Sequence, residues 1–363
     1  MTEEQEKFEE LVKIAEKYIE EKALKVLNAK RKSEDKEYKD VENCYELISS
    51  KYKPMYTINN NENVKPDDYL QANKDSKYYE ESATTLKGKL LVRFCIQLQN
   101  YQAMPKAINY ASFSKPKDND NDTDEINVSN DIFEIAKKYL TEEKAECTAI
   151  YDEFKKIKKF EEKAGNRQFN KKEEENLRQK FYKDEKYIYN HAWLKYSEGL
   201  ADAINFLINK KDDLKNLIKN VNNFFQDKPI EDFDEKIIQK FNTNLSKEFY
   251  QKIKYISTTL SYDFFKEIGC RNLLKDDVHI VAIYEHVFDN KEDDGKKHKK
   301  LVADMLNFCK SYQNIDGNKD KDTYYIDKIL WLCCTGAFYE DDIIITSMNR
   351  KNFLDYYDEK SNK

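Results

Sequence analysis

Asp277 is the residue of this chain whose type and position best suit chemistry. It begins the segment Asp277-Val278-His279-Ile280, which leads into an apolar run with helical spacing. Aspartate is a preferred cap at a helix start, and a carboxylate bonded there to backbone N–H groups stays ionised. An ionised carboxylate can stabilise a cationic transition state and orient an attacking water. Asp276 is the alternative cap, and a purely structural cap is the alternative role for Asp277.

The stretch 249–288 must position this carboxylate. Its pattern predicts a helix, a tight turn, a second helix, a short loop and a third helix. Thr258 or Thr259 can cap the middle helix, and Gly269 can end it in a left-handed conformation. Asp277 then opens the third helix, whose apolar residues fall on one face.

This stretch resembles the helix-hairpin-helix DNA glycosylases. In that family a hairpin G-h-G-x-K-T-A, where h is apolar, precedes a V-D-T-H-V segment. The segment that begins at Asp277 is similar to the D-T-H-V part. Counting back by the family spacing assigns the hairpin positions as follows: Tyr255-Ile256-Ser257 at G-h-G, Thr259 at the lysine and Ser261 at the alanine. The spacing matches, but the glycines are replaced.

The resemblance implies a role for each of these residues. Asp277 would be catalytic, and the hairpin residues Tyr255, Ser257, Thr258 and Thr259 would hold a DNA phosphate. In the family, a turn with glutamine at the end of an earlier helix fills the gap left by a flipped nucleotide. The segment 83–104 ends in such a polar turn, and its candidate residues are Gln99, Asn100 and Gln102. The alternative for these amides is an ordinary solvated helix end.

The implied activity is hydrolytic removal of a damaged or modified base from double-stranded DNA. Family members that also cut the strand use the hairpin lysine as a nucleophile, whereas Thr259 cannot form a Schiff base. We therefore predict a monofunctional enzyme, with Lys275 as a solvated loop residue. The divergent hairpin suggests an unusual substrate, such as a hypermodified base in foreign phage DNA, and hence a role in repair or defence. The rival functions are a non-catalytic DNA-binding module of the same fold and a helical protein-interaction scaffold.

Composition limits the class of protein. The chain has 363 residues with 36% charged residues, and its seven glycines leave no phosphate-binding Gly-rich loop. The net charge of −6 does not favour nucleic-acid binding, because affinity for DNA comes mainly from Lys and Arg on phosphates. Even so, 63 basic residues can be gathered on one face of an acidic protein.

Cysteine and histidine usage argues against metals and disulfides. The seven cysteines form no CxxC pair and lack the close spacing that holds an iron–sulfur cluster. The four histidines form no zinc pattern. We predict a cytoplasmic monomer without metal, cofactor or membrane span.

The predicted fold is mainly α, a helix-hairpin-helix glycosylase-like domain over 83–363. An N-terminal helical extension covers 1–82, and a helical insertion covers 115–197. The first helix is expected over 2–30, with Thr2 and Gln5 as its capping box. The segments 131–163 and 171–197 are expected to pair as an antiparallel hairpin. Residues 343–348 are the best strand candidate.

Overall fold

Helices make up most of the protein. The computed structural model describes residues 2–35, 39–76, 79–100, 128–156, 191–210, 213–226, 233–289, 294–315 and 317–361. The α-helices of these residues are α1 (Glu3–Ile19), α2 (Lys25–Glu34), α3 (Cys44–Lys51), α4 (Leu86–Gln97), α5 (Val128–Lys138), α6 (Cys147–Phe154), α7 (His191–Lys210), α8 (Asp213–Gln226), α9 (Glu235–Glu248), α10 (Thr258–Glu267), α11 (Val278–Phe288), α12 (Asp294–Gln313), α13 (Thr323–Thr335) and α14 (Arg350–Ser361). The predicted mainly helical class is confirmed.

The N-terminal helix begins as the sequence predicts. Thr2 Oγ1 accepts a hydrogen bond from the Gln5 backbone N–H, and the Gln5 side chain accepts one from the Thr2 N–H. Instead of one regular helix over 2–30, a wide π turn at Glu20–Leu24 separates α1 from α2. The apolar face of α1 packs on α12, α13 and α14, so the two ends of the chain share one core.

Two short antiparallel sheets accompany the helices. Strand β1 (Tyr56–Ile58) pairs with β2 (Leu70–Ala72), within the segment predicted as an N-terminal helical extension. Strand β3 (Ala337–Phe338) pairs with β4 (Ile343–Ile344), so a short strand does lie within 343–348. The first sheet lies against the end of α10, and the second sheet directly follows α13.

The middle of the chain adds three helices to the same core. Helix α6 packs along α7, and α5 packs on α4. Much of the predicted insertion, residues 115–127 and 157–190, lies outside the described residues, so its extent stays a prediction.

Buried apolar residues form one continuous cluster, from Phe8 near the N-terminus to Tyr357 in α14. Ile132 and Phe154, from the predicted insertion, belong to it and are fully buried. Residues on both sides of the predicted boundary at 82/83 therefore pack together, and that boundary remains a sequence-based prediction.

Gly336 ends α13, and its replacement should be costly. Its φ of +59° is left-handed, and an added Cβ would lie 2.3 Å from the carbonyl oxygen of Ile345 and 2.7 Å from that of Met348. We expect Gly336→Ala to lower the free energy of unfolding by about 2–4 kcal/mol. Two costs add up in this variant: the strain of a left-handed alanine and the clash of its Cβ with the main chain. Urea denaturation measures this loss.

Gly317→Ala is the matched control. Gly317 also has a positive φ, of +91°, but no described atom lies within 4 Å of the position that a Cβ would take. Only the conformational cost applies there, about 1–2 kcal/mol. Equal losses in the two variants would show that the contacts around Gly336 do not matter.

Candidate functional site

Helix α10 is the central element of the candidate site. Its cap is Ser257, whose Oγ accepts from the Leu260 N–H at 3.3 Å, and not Thr258 or Thr259 as the sequence suggested. Thr258 is instead the first helical residue. Gly269 ends this segment with a φ of +106°, as predicted. A Cβ there would lie 2.9 Å from the Tyr56 carbonyl oxygen, so the end of α10 packs against β1.

Asp277 caps α11, as predicted. Its Oδ1 accepts from the backbone N–H groups of His279 at 2.9 Å and Ile280 at 3.2 Å. The alternative cap, Asp276, is buried and instead lies 3.2 Å from His298 Nδ1. The Asp277 side chain is 14% exposed, and its second oxygen, Oδ2, lies 3.9 Å from Lys275 Nζ. Burial lowers the pKa of the neighbouring His279, although Asp277 partly opposes this shift.

A charged cavity lies beside this carboxylate, between α4, α10 and α13. Its volume is about 220 Å³. Seven of the lining residues are charged, and six of those seven are buried. The lining residues are Met55, Arg93, Ile96, Asp263, Lys266, Glu267, Lys275, Asp327, Lys328, Trp331 and Tyr339. Buried charge of this density is costly and is weak support for stability, which makes this cavity the best candidate for a functional site.

Ion pairs connect the walls of the cavity. Arg93 Nη2 on α4 lies 2.8 Å from Asp263 Oδ2 on α10. Lys328 Nζ on α13 lies 3.1 Å from Glu267 Oε1 on α10. Lys266 also pairs with Asp327 across the same two helices. These pairs hold α4, α10 and α13 around one space.

Ion pairing keeps Asp263 and Lys328 ionised. Burial alone raises the pKa of Asp263, but Lys275, Arg93 and Lys266 together outweigh it and hold that pKa well below its usual value of 3.8. Burial alone lowers the pKa of Lys328, but Glu267 and other carboxylates raise it above its usual value. The cavity therefore presents separate positive and negative groups at neutral pH.

Lys275 connects the cavity to Asp277. Its Nζ lies 3.6 Å from Asp263 Oδ1 inside the cavity and 3.9 Å from Asp277 Oδ2 outside it. The prediction that Lys275 is a solvated loop residue is therefore wrong: its side chain is only 18% exposed and stands between two carboxylates. Its backbone N–H is also fixed, since it donates to Asp327 Oδ1 at 2.9 Å.

The hairpin residues lie at the opposite end of α10. Tyr255 has a φ of +65°, a left-handed conformation that normally favours glycine. Its hydroxyl donates to Glu198 Oε2 at 2.6 Å, and Lys254 Nζ lies 2.5 Å from the other oxygen of the same carboxylate. Ser257 is exposed, while the two threonines that follow it are partly exposed. A glycine-like backbone is thus held in place by a tyrosine side chain.

The predicted gap-filling turn is only partly described. Gln99 is buried, and its Nε2 donates to the Cys95 carbonyl oxygen at 2.8 Å. As placed, Gln99 cannot enter a duplex, because its amide is committed to the core. Asn100 ends the turn Leu98–Asn100, but its side chain lies outside the described residues, and so does Gln102.

Gly199 brings this turn and the hairpin together. A Cβ at Gly199 would lie 2.8 Å from the Leu98 side chain and 3.2 Å from the Lys254 carbonyl oxygen. The predicted gap-filling turn and the predicted hairpin therefore both contact α7 at Gly199. The cavity, with Asp277 at its edge, lies further along α10.

Sequence reasoning missed most of the cavity. Arg93 interrupts the apolar run LLVRFCI in α4, and Asp327 and Lys328 interrupt YYIDKILWLCC in α13. Charged residues inside apolar runs were the available signal, because they must find partners where the helix is buried. Among the described residues, no group of three or more His, Cys, Asp or Glu is arranged to hold a metal ion. The seven cysteines, all described, are free thiols.

Comparison with known proteins identifies no family. No protein-family model, no curated protein and no solved structure matches the chain. The part of the chain that the structure describes contains no helix long and apolar enough to cross a membrane. The class that the fold defines is a mainly helical protein, and the function must be argued from the site.

Proposed function

We propose that the protein is a monofunctional DNA N-glycosylase that hydrolyses the bond between a modified base and its sugar. The observation that carries this proposal is the position of Asp277 at the edge of the charged cavity. Its carboxylate is anchored at a helix start, is partly exposed, and lies 3.9 Å from Lys275, which lines the cavity. A carboxylate and a pocket side by side are what this reaction needs.

The reaction passes through a sugar with cationic character. A nearby carboxylate stabilises that charge and orients the attacking water. The base must first leave the stack and enter a pocket. In this proposal Asp277 faces the deoxyribose of the flipped nucleotide, the cavity receives the modified side of its base, and Lys275 stands between them. The duplex would be held at the hairpin, by Ser257, Thr258 and Thr259 at the start of α10.

A DNA-binding module without catalysis is the second candidate. The observation that favours it is the left-handed backbone of Tyr255, which gives the hairpin a glycine-like conformation at the opposite end of α10 from the cavity. Such a module would bind duplex DNA at low salt and release no base. A scaffold without a nucleic-acid role would not bind duplex DNA even at low salt.

The first experiment measures base loss from duplexes that each carry one modified base. After incubation with the protein, alkali converts abasic sites into strand breaks. We expect breaks that appear only after alkali treatment, because a hydrolytic enzyme leaves the strand intact. We also expect no covalent adduct with borohydride present, since Thr259 cannot form a Schiff base and the Lys275 amine is engaged by two carboxylates.

Lys275→Ala separates the possible failures of this prediction. A trapped adduct that disappears in this variant would make Lys275 a lyase nucleophile. An adduct that persists would indicate another nucleophile. Either result would overturn the hydrolytic mechanism.

A further inference from the structure

We infer that the cavity accepts a neutral, polyhydroxylated group, such as a hexose attached to the base. This inference rests on the proposed function and specifies the substrate class of the same site. It starts from the unusual lining of the cavity. Pockets for flat organic ligands are mostly apolar with a few polar groups, whereas seven of the eleven lining residues here are charged.

The charges that line the cavity and the carboxylate at its edge balance, which argues against an ionic ligand. Arg93, Lys266, Lys275 and Lys328 supply four cations, and Asp263, Glu267 and Asp327 supply three carboxylates. Asp277 completes the balance, at 3.9 Å from Lys275. An anionic ligand beside these lysines would also be repelled by the neighbouring carboxylates. A cationic ligand beside the carboxylates would likewise be repelled by the lysines. A neutral ligand pays neither cost.

The ligand must also hydrogen-bond in several directions. Lysine and arginine only donate, and ionised carboxylates only accept, whereas a hydroxyl does both. The bare faces of a planar base would displace water from these charged groups without offering them hydrogen bonds, at a cost in desolvation. A ring that carries several hydroxyls can satisfy cations and carboxylates together.

Two buried donors indicate that an acceptor is missing. Arg93 lines the cavity, yet its Nε has no hydrogen-bond partner among the described residues, and neither has Nε2 of the adjacent Gln97. Both side chains are more than nine-tenths buried. A ligand oxygen at this end of the cavity would satisfy at least the guanidinium.

The aromatic lining and the size of the cavity fit the same ligand. Trp331 and Tyr339 are partly exposed, and their ring centroids lie 6.2 Å apart with an angle of 68° between the planes. Such rings offer an apolar surface to the C–H face of a sugar. The volume of about 220 Å³ is below that of pockets for drug-sized ligands, roughly 300–1,000 Å³, and suits a single ring.

The test compares free sugar with sugar carried on DNA. Three probes are titrated calorimetrically: methyl glucoside, a duplex with one 5-hydroxymethylcytosine, and the same duplex with that base glucosylated. We expect the glucosylated duplex to bind at least about tenfold more tightly than its unglucosylated counterpart, and to lose its base at least about 100-fold faster. Trp331→Ala should remove the preference, and Trp193→Phe, at the buried tryptophan of α7, should retain it. Lys275→Met at the cavity rim provides a second variant should Trp331→Ala fail to fold.

Each outcome bears on one of the two proposals. Tight binding of the glucosylated duplex without base release would keep the sugar site and overturn the glycosylase. Equal rates of base release from the glucosylated and unglucosylated duplexes would keep the glycosylase and overturn the sugar site. Binding of methyl glucoside without a preference between duplexes would place the sugar on a free ligand and overturn the DNA-borne source. No difference between any of the probes would overturn the inference entirely.

Discussion

Asp277→Asn should fold and bind DNA normally but release bases about 10²–10³-fold more slowly than the natural protein. Asparagine keeps an oxygen for the His279 and Ile280 N–H groups, so the cap of α11 survives. What disappears is the negative charge that stabilises the developing sugar cation. Base release measured under single-turnover conditions, together with thermal unfolding, separates the catalytic effect from a structural one.

Asp234→Asn is the matched control. Asp234 caps α9 in the same way, with Oδ1 accepting from the Ile237 N–H at 2.7 Å. The substitution again removes one negative charge from a helix start, but it leaves the cavity and Asp277 unchanged. Base release should remain at the natural rate. A similar loss in both variants would attribute the effect of Asp277 to helix capping or net charge.

Asp263→Asn should destabilise the protein by about 3–5 kcal/mol, because it leaves the buried Arg93 without its carboxylate partner. Arg93 Nη2 lies 2.8 Å from this carboxylate, and Lys266 and Lys275 each lie 3.6 Å from it. Urea denaturation at pH 7 measures the loss. The control Asp40→Asn breaks an exposed pair with Lys32 and should cost less than about 1 kcal/mol. Equal losses would mean that the cavity network contributes no more than a surface ion pair.

The effect of Asp263 should depend on pH in a defined direction. Its pKa in the folded protein is held below the usual value of 3.8. Its contribution to stability is therefore fully present above about pH 4 and is lost as the pH falls further, towards the folded pKa. The difference between the natural protein and Asp263→Asn should shrink over that range. A difference that stays constant from pH 7 to pH 2 would contradict the assigned ion pairs.

Local signals in the sequence predicted local structure well. The caps at Thr2 and Asp277 and the left-handed end at Gly269 depend on neighbouring residues, and all three were predicted correctly. The hairpin cap was placed one or two residues too late. Ser257 takes that role because its backbone is extended just after the left-handed Tyr255.

The cavity could not be predicted, because it depends on contacts between distant segments. Lys275 looked like a solvated loop residue, since nothing nearby in sequence shows that Asp263 on α10 stands beside it. The sequence suggested that Gln99 is available to DNA, but in the folded protein its amide donates to the Cys95 carbonyl oxygen. The strands β1 and β2 were missed for the same reason, because the end of α10 at Gly269 supports them from far along the chain.

Identification of the released product tests the central claim most directly. Duplex DNA carrying the modified base is incubated with the natural protein, Asp277→Asn or Asp234→Asn, and small molecules are analysed by mass spectrometry. We predict that the free base accumulates with the natural protein and with Asp234→Asn, and that Asp277→Asn yields almost none. Free base from Asp277→Asn at the natural rate would contradict a catalytic role for this carboxylate.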